Sequence, residues 1–230
     1  MYMKLNKSES GNVAFIAIAV IVGVFVGFAV GKMMNNDDTN KSSSAPPTSM
    51  TKAADLRSNL VTLGVEHMSL TNTAVDDALD GSPAAAESAK ALYTNGNNIG
   101  AAVGSVYGKE AETTFNSVWK LHLDEFVKYA VADKSGDEAA KKAALDTIDA
   151  QYTKPLAQFL AKANPNIDEK TLETALGDHV QMTAAMFDDH VQGKYADEYA
   201  ELQTANKHME SIMSSLAGAI VKQYPAKFQN

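Results

Sequence analysis

Residues 56–74 read LRSNLVTLGVEHMSLTNTA, and this stretch shows most directly what kind of fold the chain adopts. Apolar or small side chains, with one histidine among them, recur at steps of three and four residues: Leu56, Leu60, Leu63, His67, Leu70 and Ala74. A helix with about 3.6 residues per turn places such positions on one face. The stretch therefore predicts an amphipathic helix that turns its apolar face toward a protein core.

Turn-forming residues separate further stretches of the same period. Asp80-Gly81-Ser82-Pro83 should end the first helix and begin the second, because glycine favours a helix stop, serine an N-cap and proline a first turn. Ser135-Gly136-Asp137 and Asn164-Pro165-Asn166 are typical of turns as well. Pro155 should kink or split the helix that contains it after Thr153.

These signals predict an all-α, antiparallel helical bundle of about six helices, because no stretch shows strand-like alternation. The first helix should start near Ala53, and the second should run to about Tyr107 with a candidate interruption at 95–98. The remaining helices are expected from near Lys109, over about 138–163, from Asp168 or Lys170 to about Gln192, and over about 196–223.

Composition restricts the class of protein. The chain has 230 residues, of which 45% are hydrophobic and 21% charged, as in ordinary globular domains. Its net charge of −8 disfavours nucleic acid as a partner, because phosphate backbones repel an acidic surface. The absence of cysteine excludes disulfides, thiolate metal sites and a cysteine nucleophile. A transition metal would have to be bound by His, Asp, Glu or Met.

Residues 13–31 read VAFIAIAVIVGVFVGFAVG and carry no charge, which predicts one transmembrane helix. The slight excess of positive charge before the span places residues 1–12 in the cytoplasm. A cleaved signal peptide is the main alternative, but the apolar run is long and lacks a small-x-small cleavage site. A packing helix of a filament subunit is a minor alternative.

Residues 32–52 are polar and contain Pro46-Pro47, so they predict a flexible linker. Residues 53–230 should then form the bundle outside the cytoplasm. The expected location is the cell membrane, crossed once, with the lipid bilayer as a partner through residues 13–31. A protein of the cell envelope or of a membrane complex is a further expected partner.

The predicted first and fifth helices resemble each other. Residues 66–71 (EHMSLT) align without a gap with residues 178–183 (DHVQMT), at an offset of 112 because 179 − 67 is 112. A weaker match pairs residues 122–124 (HLD) with residues 208–210 (HME). An internal duplication that gives each half two histidine-bearing helices is one interpretation, and chance similarity of amphipathic helices is the other.

Four of the five histidines lie on the apolar faces of four different helices: His67, His122, His179 and His208. A buried imidazole must hydrogen-bond or bind a ligand, and it is the commonest metal ligand. Glu66 and Asp178 directly precede His67 and His179, so they could coordinate the ion or orient an imidazole. His190 and the pair Asp188-Asp189 should face solvent.

These residues predict a site for zinc, copper, iron or manganese in the bundle core. The metal would be stored, sensed or held structurally. The alternative is a metal-free polar core in a non-enzymatic interaction or structural subunit of the envelope. A metal-dependent enzyme ranks last, because the sequence contains no nucleophile elbow, phosphate-binding loop or HExxH motif.

The domain from about Leu56 to Phe228 resembles a bacterial family of exported, all-helical domains that has no established activity. The resemblance rests on Glu66-His67, on His122 followed by residues 126–129 (FVKY), on Asp178-His179-Val180, on His208-Met209 and on residues 219–228 (AIVKQYPAKF). It implies a helical fold and export or attachment to the cell surface, and it implies no function.

Overall fold

A computed structural model describes residues 51–229, and no β-strand occurs in this range. The α-helices are α1 (Lys52–Asp80), α2 (Ala85–Tyr107), α3 (Lys109–Ser135), α4 (Glu138–Ile148), α5 (Lys154–Ala163), α6 (Glu169–Val191) and α7 (Tyr195–Gln223). A π-helical turn, Asp149–Thr153, joins α4 to α5, so that these two form one rod. The prediction of an all-α fold is confirmed.

The predicted cytoplasmic tail (1–12), the transmembrane helix (13–31) and nearly all of the linker (32–52) lie outside the described residues. Among the helices of residues 51–229, none is both long enough and apolar enough to cross a bilayer. The Thr51 hydroxyl caps α1 by accepting a hydrogen bond from the backbone N–H of Ala54 at 3.1 Å. Helix α1 therefore starts at Lys52, one residue before the predicted start.

Helix α2 is continuous, although the sequence suggested an interruption at 95–98. Its glycines face α3 instead of breaking the helix, and they form three close pairs: Gly96 with Trp119, Gly100 with Asn116, and Gly104 with Glu112. In these three pairs the residue numbers rise along α2 while they fall along α3, so the two helices are antiparallel. Gly108, with φ of +93°, is the single residue that links them.

Helices α1, α3 and α6 run parallel to one another. The chain returns in the opposite direction through α2 between α1 and α3, and through the rod of α4 and α5 between α3 and α6. Contacts between α1 and α3 keep one sequence offset, since 122 − 67 and 134 − 79 both equal 55. The contacts that define the common direction are His67 with His122, Leu79 with Lys134, Phe126 with Phe187, His67 with His179 and Asp80 with His190. Residues with these offsets lie at the same level of the bundle.

This topology limits the internal repeat. Helices α1 and α6 are parallel and hold His67 and His179 at one level, as their alignment suggested. Helix α3 runs in the direction of α1, whereas α7 turns back along α6, because no helix lies between α6 and α7 in the chain. His122 and His208 are therefore not equivalent positions, and the repeat extends only to α1 and α6.

The π turn before Pro155 replaces the predicted kink or split after Thr153. Proline lacks the N–H that would bond back to the preceding turn, and its ring crowds the carbonyl there. A π turn changes the local hydrogen-bond spacing, so the rod passes this point without a break. The turn carries Tyr152 into the core, where its exposed fraction is 0%.

We expect Gly96→Ala to destabilise the domain by about 1–3 kcal/mol, because the added methyl would overpack a rigid ring. A Cβ at Gly96 would lie 2.7 Å from Cδ1 and 2.8 Å from Nε1 of Trp119. Urea denaturation measures the free energy of unfolding. Gly218→Ala is the matched control, since no atom lies within 4 Å of its Cβ. This control should be neutral or stabilise α7 by up to about 1 kcal/mol, and equal effects would contradict the prediction.

Candidate metal centre

Three of the four predicted histidines meet in the core. His67 on α1, His122 on α3 and His179 on α6 are 1%, 0% and 1% exposed. One ring nitrogen of each lies within 4.8 Å of those of the other two. The three parallel helices bring this about, because each presents its histidine at the same level.

Aromatic rings fix the orientation of the imidazoles. The Trp119 ring centroid lies 4.9 Å from that of His67 and 4.8 Å from that of His122. Tyr152 stacks on His122, with ring centroids 4.2 Å apart and an interplanar angle of 22°. Sequence reasoning missed Tyr152, because its role depends on the π turn, which no residue pattern announced.

A threonine follows two of the histidines by one helical turn. Thr71 Oγ1 donates to the backbone oxygen of His67 at 2.8 Å, and Thr183 Oγ1 donates to that of His179 at 2.9 Å. Both hydroxyls are therefore occupied by their own helices. The repeated stretches of α1 and α6 thus share the burial of a histidine and the neighbouring threonine, but they supply no hydroxyl donor to the imidazoles.

Most of the imidazole nitrogens lack a hydrogen-bond partner within the described chain. Nδ1 of His67 is buried without one, as are both ring nitrogens of His122 and of His179. The Tyr152 hydroxyl is also buried without a partner. Each such group costs about 1–3 kcal/mol, because water solvates it in the unfolded chain. The cluster is therefore suited to a ligand that accepts lone pairs from several nitrogens.

The surroundings favour neutral imidazole. Burial, and then the neighbouring His179, lower the pKa of His67 to about 3. Burial, and then His208, lower the pKa of His179 to about 4. Burial, followed by His67 and His179, also holds the pKa of His122 well below its usual value. A weak interaction with the Trp119 backbone opposes this shift but does not meet hydrogen-bond geometry. Neutral imidazole is the form that coordinates metal ions.

The other predicted ligands lie outside this cluster. His208 is half-buried, and its Nε2 is 2.8 Å from the backbone oxygen of Ala175. Glu66 is exposed and accepts a hydrogen bond from Asn95 Nδ2 at 2.9 Å. Asp178 is exposed as well. A residue adjacent to a buried histidine is rotated by about 100° around the helix, so these carboxylates point away from the core.

An apolar cavity of about 470 Å³ borders all three histidines. It extends between α1, α2, α3 and α6 and reaches the surface beside Val127 and Val131, which are 54% and 64% exposed. A second cavity of about 370 Å³ borders Trp119, Tyr152 and His208. Because Trp119 and Tyr152 also contact the histidines, these two rings lie between the cluster and the second cavity.

His190 is buried, and the expectation that it faces solvent is wrong. It is 7% exposed, with Nδ1 3.0 Å from Asp76 Oδ1 and 3.1 Å from Glu198 Oε2. Its Nε2 is 3.2 Å from Asp80 Oδ1. The parallel course of α1 and α6 puts both C-terminal ends together, and α7 starts beside them. Sequence spacing alone does not reveal that arrangement.

The expectation for Asp188 and Asp189 is also wrong, because neither side chain is simply solvated. Asp188 Oδ1 accepts a hydrogen bond from the Tyr129 hydroxyl at 2.7 Å and pairs with Lys141 Nζ at 3.0 Å. Asp189 is only 23% exposed and lies 4.0 Å from Lys194 Nζ. These contacts connect α6 to α3 and α4, so they have a structural role.

Comparison with protein-family models, with curated proteins and with solved structures finds no match. The resemblance to exported helical domains therefore stays a prediction. Function has to be argued from the site itself.

We expect the metal-free protein to lose stability as the pH falls below about 6.5, because the unfolded histidines take up protons that the buried ones do not. With folded pKa values of about 3 for His67 and about 4 for His179, this loss continues down to about pH 4 for His179 and about pH 3 for His67. His67→Leu removes one such histidine, so the free energy of unfolding should fall less steeply with decreasing pH, by about 1.4 kcal/mol per pH unit. Urea denaturation from pH 7.5 to 4.5 measures the free energy of unfolding at each pH. The same pH dependence for His67→Leu and the unsubstituted chain would contradict the prediction.

We expect Tyr152→Phe to leave the metal-free domain as stable or up to about 3 kcal/mol more stable, because it removes a buried hydroxyl that has no partner. Tyr129→Phe is the matched control, since it removes a hydroxyl that donates to Asp188 at 2.7 Å. The control should destabilise the domain by about 1 kcal/mol or more. A larger loss for Tyr152→Phe than for the control, in thermal or urea denaturation, would contradict this expectation.

Proposed function

We propose that the bundle binds one transition-metal ion through His67, His122 and His179. The observation that carries the proposal is the meeting of three buried imidazoles whose nitrogens have almost no hydrogen-bond partners. A lone core histidine normally hydrogen-bonds to a neighbour, as His208 does to Ala175. Three imidazoles without such bonds are better accounted for by a shared ligand.

The fit of an ion is close but requires a small movement. A tetrahedral zinc ion, with zinc–nitrogen distances of about 2.0–2.1 Å, holds two ligand nitrogens about 3.3 Å apart. The nitrogens here lie within 4.8 Å of one another, so small side-chain rotations would close the set. Only His122 is held by a stacked ring, that of Tyr152, while the contacts of Trp119 with His67 and His122 are tilted or edge-on.

The ligand set favours zinc or copper among the four metals expected from the sequence. The cluster contains three nitrogens and no carboxylate, whereas iron and manganese sites in proteins generally include carboxylate ligands. The desolvation free energy of a buried ion grows with the square of its charge, so a monovalent copper ion has the smallest desolvation penalty at this site. A zinc ion would need an anion such as hydroxide as its fourth ligand.

Three protein ligands leave a coordination position open, and the apolar cavity borders the cluster. Structural zinc sites are generally closed by four protein ligands. We therefore favour storage or sensing of a metal over a purely structural role. Enzymatic use ranks lower, because no carboxylate lies in the cluster to serve as a general base.

The remaining parts of this proposal rest on sequence. They are the anchor at 13–31, its contact with the lipid bilayer, and the placement of the bundle outside the cytoplasm. An envelope or membrane-complex partner is the alternative function without metal. Val127 and Val131 favour it, because two exposed valines one turn apart on α3 form a small apolar surface.

Elemental analysis after dialysis against Zn²⁺, with a parallel anaerobic series with Cu⁺, tests the metal site. The full chain should retain metal, and His122→Ala and His179→Ala should each retain one equivalent less. Loss of a direct ligand should weaken binding by more than about 100-fold, because even groups behind the ligands contribute about 10–100-fold.

His208→Ala is the matched control, because it removes a histidine that lies outside the cluster. It should retain as much metal as the unsubstituted chain. A folded chain that takes up neither ion would refute the metal site and leave the partner-binding alternative. Equal retention by His179→Ala and His208→Ala would show that the bound metal lies elsewhere.

A further inference from the structure

A second group of metal-ligating side chains lies where α1 and α6 end and α7 begins. Asp76, His190 and Glu198 each offer one ligand atom within 4.8 Å of the others. Glu198 is 1% exposed and His190 is 7% exposed, so the group is largely removed from water. Unlike the three-histidine cluster, it is mainly composed of oxygen ligands.

Asn72 completes this group. It is 5% exposed, and its Nδ2 donates to Asp76 Oδ2 at 2.6 Å and to Glu198 Oε1 at 3.0 Å. Its Oδ1 is buried without a hydrogen-bond partner. Rotation of the amide by 180° exchanges these two atoms. The oxygen would then face both carboxylates, an arrangement that is stable only with a cation between them.

The group carries excess negative charge. Asp76, Asp80 and Glu198 surround His190, so even a protonated imidazole neutralises one of three carboxylates. Within residues 51–229, no lysine or arginine forms an ion pair with these three carboxylates. Burial, and then the neighbouring Glu198, raise the pKa of Asp76 to about 7, and the second of these causes is part of the same excess of negative charge. A divalent cation would compensate it directly.

We propose that Asp76, Glu198, His190 and the amide oxygen of Asn72 form a second cation site, for a divalent ion of the manganese type. Two carboxylates, one amide oxygen and one imidazole suit Mn²⁺ better than copper. Nδ1 of His190 coordinates the ion after it loses its proton to solvent. Nε2–H then donates to Asp80 Oδ1, now 3.2 Å away, so Asp80 is a positioning residue.

Occupation of this site ties the ends of α1 and α6 to the start of α7. A ligand that binds only the folded state raises its stability by mass action. The site is independent of the three histidines, because it shares no residue with them. Its existence does not depend on the function proposed above.

Electron paramagnetic resonance of free Mn²⁺ measures binding to the full chain at neutral pH, and thermal denaturation with and without Mn²⁺ measures the stabilisation. The chain should bind one equivalent, and Mn²⁺ should raise the melting temperature. Glu198→Gln and Asp76→Asn should each weaken binding at least tenfold. His67→Ala should bind Mn²⁺ as well as the unsubstituted chain does, which separates this test from that of the three-histidine centre.

Asn72→Asp distinguishes a cation site from a salt-bridged imidazolium. At a cation site the added carboxylate tightens Mn²⁺ binding severalfold, and Mn²⁺ restores the stability that the extra charge removes. In a metal-free network it only destabilises the domain. The proposal would be overturned if the chain bound no Mn²⁺ up to millimolar concentration. It would also be overturned if Glu198→Gln bound Mn²⁺ as well as the unsubstituted chain does, because the binding would then be adventitious binding at the surface only.

Discussion

The main constraint on this domain is the burial of three imidazoles in a core that offers them almost no hydrogen bonds. Desolvation holds His67, His122 and His179 neutral, and their nitrogens face one another instead of backbone carbonyls. Without a ligand this arrangement destabilises the fold, because every buried group that lacks a hydrogen-bond partner lowers the free energy of unfolding. Trp119 and Tyr152 pack against the rings and restrict the positions that the nitrogens can take.

Helix direction explains how residues so far apart in sequence reach one level. Long return helices separate α1, α3 and α6, so these three all run the same way and neighbours keep constant offsets. The close approach of α2 to α3, which Gly96 and Gly100 permit, sets the position of Trp119 and its helix. The same parallel course brings the ends of α1 and α6 together and assembles the acidic group around His190. One topological fact thus produces both clusters.

Much of the fold could be predicted from sequence, because helices are specified locally. The expected starts near Ala53 and Asp168, and the turns at Gly81 and Gly136, gave helix bounds within a few residues. The inward direction of His67, His122 and His179 followed from helical spacing alone. A helix that packs on more than one neighbour is harder to interpret, and α7 shows this.

His208 was expected on the apolar face of its helix, but the buried stripe of α7 contains Met209 and Met213, which turns His208 toward α6. The acidic group around His190 and the π turn at Tyr152 could not be predicted either. The first depends on which helix ends are neighbours in space. The second depends on a local change of hydrogen-bond pattern, and a helix that contains a proline can instead kink or end at that point.

The π turn has a consequence for how this core can change. In its count of residues, a π turn equals an α-helix into which one amino acid has been inserted. Deleting one residue from Asp149–Thr153 would restore regular winding and leave α4 and α5 on their present faces, because the wider π turn already absorbs the extra residue. Ile148 and Leu156 would both stay in the core, whereas the turn that carries Tyr152 inward would be lost. The stacking of Tyr152 on His122 is therefore tied to chain length at this point, and evolution could gain or lose it by a single-codon indel.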